Sequence, residues 1–294
     1  MNISSIKNRA NEVLMTNKPE FIRILTILML VGLIPSLFSG TANVLARFIS
    51  IAINILFLTF HHGYIVSSLK MVRNNAQALN DDDAFVGFRR FKELFPTYLL
   101  TSVVIWAVLA VAIFILVFVV TLFFGTVFSG IDSLISSAAF NGASAYTILS
   151  YIVAYSPSII FVVLLMFFII IILAVVVSTF LFAVPYLLEQ YNITTMDAIK
   201  ESFQMMKGHI WDLIKLQLSF FAWIVVIAIV ESIIAELLSF IPMLGSIIAL
   251  IASGFLGIYT YLPQYYLSQA IFFEELAYHR YENKYQYNGE ESHV

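Results

Sequence analysis

Apolar runs of about 18 residues or more recur along this chain, and helices of that length cross the hydrocarbon core of a bilayer. The runs are continuously apolar, without the period-2 alternation of barrel strands, and a backbone facing lipid must satisfy its own hydrogen bonds. Six spanning helices are predicted, at about residues 22–39, 45–68, 97–125, 158–187, 213–239 and 247–271. Composition agrees, because 61% apolar and 11% charged residues over 294 positions lie far outside soluble domains. The predicted fold class is therefore all-α, a polytopic membrane protein whose residues 1–294 form one transmembrane helical domain, with 281–294 as a polar tail. The first span follows some twenty residues that are mostly polar, with no small-residue cleavage pattern after it, so it is read as retained. Two spans are longer than a bilayer requires, which predicts tilt or extension beyond it.

Orientation follows from lysine and arginine. Lys7, Arg9, Lys18, Arg23, Lys70, Arg73, Arg89, Arg90, Lys92, Lys200, Lys207, Lys215, Arg280 and Lys284 fall on one side of this topology, fourteen of the fifteen in the chain. Short cytoplasmic segments carry such an excess, so both termini are expected in the cytoplasm and the protein in the plasma membrane. Arg47 is the exception, at the outer end of the second span. The connection over 129–156 has no basic residue and only Asp132 as a charge, as suits an external segment.

A short amphipathic helix is expected before each outward span. Ile3, Ile6, Ala10 and Val13 share a helical face; Met196, Ile199, Phe203 and Met206 repeat that spacing; Phe85, Phe88, Phe91 and Phe95 approximate it. Thr195 is placed to cap the last of these helices and Gly208 to end it, while Asp81, Asp82 and Asp83 offer caps for the middle one. A helix-bending residue then precedes tyrosine near each inner end: Gly63 with Tyr64, Pro185 with Tyr186, Pro263 with Tyr265. Three successive units result, at about 1–70, 80–190 and 194–280, each an interfacial helix, a span out and a span in.

These residues also carry a likeness. The run "ESFQMMKGHIWDLIKLQLSFFAW" (201–223), the opening "IKNRANEVL" and "DAFVGFRRF" resemble the bacterial integral membrane family catalogued as domain of unknown function 975. The matching positions include Ser202, Met206, Lys207, Gly208, Leu216, Leu218, Ser219, Phe220 and Trp223, with Pro263 and Tyr265 downstream. The resemblance implies a multi-span protein of the cell envelope and no particular activity.

Several function classes lack their motifs. There is no phosphate-cradling loop, dinucleotide fingerprint, zinc-protease helix or nucleophile elbow, so no enzymatic activity is expected. No basic tract points to nucleic acid, and zero cysteines exclude disulfides and thiolate metal sites. His61 and His62 point about 100° apart on a helix and are read as a polar interfacial pair rather than metal ligands. No metal or cofactor is expected. The expected partners are membrane lipid and a membrane or cytoplasmic protein, and oligomeric state is not legible.

Two features at membrane depth remain. Ala249, Ser253 and Gly257 recur every fourth residue on the sixth span, a stripe that lets the fifth or second span approach closely. Glu231 and Glu236 interrupt the fifth span, and Arg47 enters from the same side at a depth that allows an ion pair. The glutamates lie about 140° apart around the helix, so they do not form one carboxylate pair. Glu236 is read as interfacial. Glu231 is either an internal ion-pair partner or a site facing an outward polar cavity. Two functions lead on this basis, a non-enzymatic binding, scaffold or regulatory component, and a small transporter or exporter using Glu231 and Arg47; a membrane-embedded enzyme stands a distant third, because these residues assemble no catalytic constellation.

Overall fold

A computed structural model describes residues 1–35, 44–73, 79–140, 157–191, 193–238 and 242–290. Among these residues there are helices and turns and no strand: α1 (Ile3–Thr16), α2 (Lys18–Gly32), α3 (Val44–Phe57), α4 (His62–Val72), a 3-10 turn (Asp81–Phe85), α5 (Val86–Arg89) and α6 (Phe91–Phe140). They continue with α7 (Pro157–Phe180), α8 (Val184–Gln190), α9 (Thr195–Met206), α10 (Ile210–Leu218), α11 (Phe221–Leu237), α12 (Pro242–Thr260) and α13 (Leu262–Glu290). The protein is an all-α polytopic membrane protein. Phe48–Val72, Phe91–Leu122 and Leu164–Gln190 are long and apolar enough to cross a bilayer, and two bent pairs, Ile210–Leu218 with Phe221–Leu237 and Ile247–Thr260 with Leu262–Tyr278, raise the number to five among the described residues. These five fall on the second to sixth expected spans. The first span begins as α2, and its far end, 36–39, lies outside the described residues.

Contacts group the chain into two compact units, Met1–Leu100 with Thr179–Val294, and Thr101–Ser178. The second unit consists of parts of α6 and α7, and none of its described side chains is buried. Trp106, Phe114, Leu122, Phe161 and Phe167 are all well exposed there, as apolar residues are when lipid is the solvent. Helix α6 runs on to Phe140, so the start of the connection expected as external is helical. The Asp132 side chain and residues 141–156 lie outside what is described.

The core belongs to the first unit and is built from the segments that carry the basic residues. Helix α13 packs against α1 and α4, α4 and α2 against the 3-10 turn, and α9 against α8. Ile6, Phe21, Ile24, Phe60, Met71, Leu187, Met206, Leu213, Phe220, Phe272 and Phe273 are among the side chains shut in there. By contrast, α11 buries no residue at all. Helix α13 continues to Glu290, through the stretch expected as a polar tail.

The short amphipathic helices differ in detail from their expected faces. Helix α1, capped by the Asn2 side chain on the Ser4 and Ser5 amides, buries Ile6 and Ala10 as expected but Leu14 rather than Val13. Helix α9 buries Ala198, Ile199, Ser202, Met205 and Met206, while Met196 and Phe203 point outward. Its cap is Thr194, whose hydroxyl accepts from the Asp197 amide, and Thr195 instead meets the hydroxyl of Thr97 at 2.7 Å. The middle helix is a 3-10 turn and a single α turn. Asn80 caps it, and Asp83 completes the box by accepting from the Asn80 amide at 3.1 Å. Gly208 ends α9 as expected, with a positive φ of 94° that favours glycine.

Candidate functional site

The second, fourth and sixth spans are each broken near a bending residue that precedes tyrosine, and in the second and fourth the backbone bonds tighten from the α to the 3-10 pattern there. In the second span the His62 amide donates to the Thr59 carbonyl at 2.9 Å and the Gly63 amide to Phe60 at 3.3 Å. Gly87 is packed so closely against this bend that a Cβ would fall on the Thr59 carbonyl. In the fourth span the Val184 amide donates to Leu181 at 3.2 Å. Here Ser202 of α9 closes the break: its hydroxyl donates to the Phe180 carbonyl at 2.7 Å and accepts from the Ala183 amide at 3.2 Å. The fifth span bends by 43° at Ser219–Phe220, between α10 and α11. The Ser219 hydroxyl donates to the Leu216 carbonyl, and the Lys7 ammonium reaches the Ser219 carbonyl at 3.4 Å while lying 4.3 Å over the Phe220 ring. Phe220 meets Tyr265 edge-on at 5.4 Å, just past the 58° bend before Pro263.

Between these joints lies a polar cluster that sequence reasoning missed. His62 is fully buried, whereas His61 faces outward, so the pair divides as its helical spacing requires. The His62 Nδ1 is 2.9 Å from the Tyr98 hydroxyl and its Nε2 is 3.0 Å from Glu189 Oε2. Arg90 donates from Nη1 to the same Glu189 oxygen at 2.6 Å and from Nε to Glu93 at 2.9 Å. Burial works against the Arg90 charge, but the hydrogen-bonded carboxylates of Glu93 and Glu189 outweigh it and raise its pKa. A cavity of about 350 Å³ opens beside them, lined by Arg90, Glu93, Leu94, Glu189, Gln190 and Tyr191 among others. Further ion pairs tie the same elements: Lys70 to Asp83 at 2.7 Å, Arg73 to Glu274 at 2.7 Å, and Arg280 to Glu201. Among the described residues no group of three or more His, Asp or Glu side chains is placed to hold a metal ion.

A family model described as Protein of unknown function (DUF975) matches residues 1–279. The chain belongs to the DUF975 family. No curated protein and no solved structure matches it. In this DUF975 chain the residues that carry the likeness concentrate at the joints. Ser202 and Phe220 are fully buried, Pro263 is buried, Tyr265 is half-buried, and Ser219 and Gly208 sit at a bend and a helix end. Lys207 is the exposed C-cap of α9, and Trp223 is exposed on α11.

Glu231 and Glu236 are not brought into a packed site among the described residues of this DUF975 chain. Glu231 is half-buried and Glu236 exposed on α11, and neither has an ion-pair partner among the described residues. The Arg47 side chain lies outside the described residues. The small-residue stripe is buried at Ala249, Ser253 and Gly257. Ile227 of the fifth span sits 3.7 Å from where a Gly257 Cβ would stand, and Met29 of the first span fills the space over Gly254. One sequence signal could have pointed to the His62 cluster: Glu189 closes a stretch with no other charged side chain back to Asp132.

Proposed function

We propose that this chain is a non-enzymatic binding, scaffold or regulatory component of the cell envelope, working from its cytoplasmic face. The observation that carries the reading is where the ordered polar chemistry lies. The joints, the His62 cluster and the ion pairs belong to the elements rich in lysine and arginine, whereas α11, with Glu231 and Glu236, buries nothing. By the bias of basic residues those elements face the cytoplasm, with six spans in three units and both termini inside. Lys92, Lys200, Lys207 and Lys215 are exposed there without ion-pair partners among the described residues, which leaves them available to anionic lipid or a protein. The test is complementation of a deletion strain. Lys200→Glu with Lys207→Glu is expected to fail at wild-type yield, while Glu231→Gln complements; the opposite pattern overturns the reading.

A second reading, a small transporter or exporter, draws on one observation: Glu231 is a half-buried carboxylate in an otherwise apolar helix, with no described partner. It predicts that Glu231→Gln and Arg47→Ala each keep wild-type yield and lose an uptake or resistance phenotype. Loss of yield that the double variant restores would mark a structural pair instead.

A further inference from the structure

Away from the joints, a second cavity of about 580 Å³ opens on the first unit, lined by Lys18, Pro19, Ile22, Arg23, Thr26, Ile27 and Tyr259. Its residues are ordered along α2. Lys18 and Arg23 stand in the first turns, and Ile22, Thr26 and Ile27 follow on the same side at i, i+4 spacings, so the groove runs from cations to apolar wall over about 14 Å of helix. The Thr26 hydroxyl is already satisfied by the Ile22 carbonyl at 2.8 Å, which leaves the wall apolar in effect. Across the groove, Tyr259 of α12 is 66% exposed, an amphipathic ring of the kind that settles at headgroup level. Further along, the Met29 contact over Gly254 brings α2 and α12 together beyond the groove.

Both cations keep donors for a ligand. Lys18 is exposed and has no ion-pair partner among the described residues. Arg23 donates from Nε to Asp81 at 2.6 Å, and its two Nη groups have no partner among the described residues. A guanidinium held on one edge by a carboxylate still presents the other edge to a phosphate. Soluble anions would gain nothing from the apolar wall. A zwitterionic lipid would bring its own ammonium up against Lys18 and Arg23, and a lipid without a phosphate would leave both unmatched.

We infer that the Lys18–Arg23–Tyr259 groove is a binding site for an anionic phospholipid, the phosphate taken by Lys18 and Arg23 and an acyl chain lying along Ile22, Thr26 and Ile27. This deepens the reading of the basic elements as the side facing anionic lipid, and rests on it. The full chain, purified in a mild detergent and delipidated, is titrated with phosphatidylglycerol or phosphatidylcholine and followed by native mass spectrometry and thermal unfolding. Wild type is expected to bind one phosphatidylglycerol at least about tenfold more tightly than phosphatidylcholine, at the affinity differences that one desolvated charge contact commonly gives. Lys18→Ala removes the headgroup contact, and Ile27→Trp fills the groove while keeping both cations and the Arg23–Asp81 pair. Each is expected to abolish the preference, with lipid-free melting unchanged to show that the fold is intact. Equal binding of the two lipids by wild type, or an undiminished preference in both variants, overturns the site. Inorganic phosphate that stabilises the protein as well as phosphatidylglycerol would identify a soluble-anion site and overturn it too. Such a result, with Lys200→Glu/Lys207→Glu still failing to complement, would remove the lipid site alone and leave the proposed function standing.

Discussion

Replacing Ser202 by alanine tests whether the break in the fourth span is held by a single side chain. The serine is fully buried and makes two bonds, donating to the Phe180 carbonyl at 2.7 Å and accepting from the Ala183 amide at 3.2 Å, itself on a fully buried residue. Alanine removes both partners and leaves a donor and an acceptor facing a dry core. Each unsatisfied buried group costs about 1–3 kcal/mol, so the pair is expected to cost about 2–6 kcal/mol. For a unit of this size that corresponds to about 4–24 °C in melting temperature. The control is Ser67→Ala: this buried hydroxyl donates to the Gly63 carbonyl at 2.8 Å inside an unbroken helix, where the carbonyl keeps its backbone donor. It is expected to cost under about 1 kcal/mol. Melting of the purified protein in detergent, followed by tyrosine and tryptophan fluorescence, reads both. Equal shifts for the two variants would refute the argument, because they would mean that the hydroxyl matters only as packing volume.

Two further outcomes are expected. Gly87→Ala drives a Cβ into the Thr59 carbonyl, a backbone atom that cannot swing aside, and is expected to cost about 1–3 kcal/mol or more in the same assay. Glu189→Gln removes the carboxylate shared by His62 and Arg90 and is expected to cost about 1–3 kcal/mol. Adding Arg90→Gln should recover part of that loss, which double-mutant melting checks.

The second to sixth spans, up to five among the described residues, and the three bending positions were legible in the sequence because both are local: one is a run of apolar residues, the other a glycine or proline beside tyrosine. The Ala249, Ser253 and Gly257 stripe is likewise a local pattern, and its three residues are buried. What escaped is long-range. His62 meets Glu189 across 127 positions and Arg280 meets Glu201 across 79, and no periodicity records such pairings. Helix α9 shows a subtler limit. Two of its large apolar residues, Met196 and Phe203, point outward, while Ala198 and Ser202 turn inward. Where lipid replaces water, a large apolar side chain gains as much outside as inside, so hydrophobicity no longer reports which face is the core. Glu231 escaped for a related reason: its surroundings are set by whatever covers α11, which no residue of that helix encodes.

The bends of 43° and 58° at Ser219–Phe220 and before Pro263 also have a mechanical consequence. They divide the fifth and sixth spans into an anchored segment, locked among the ion pairs, and an apolar rod that meets it at an angle. In a thinner or thicker bilayer such a rod can change its tilt by flexing the joint instead of dragging the anchored segment with it. The Lys7 ammonium on the Ser219 carbonyl and the Phe220 face then acts as the hinge pin, tying the N-terminal helix to the point about which the rod swings.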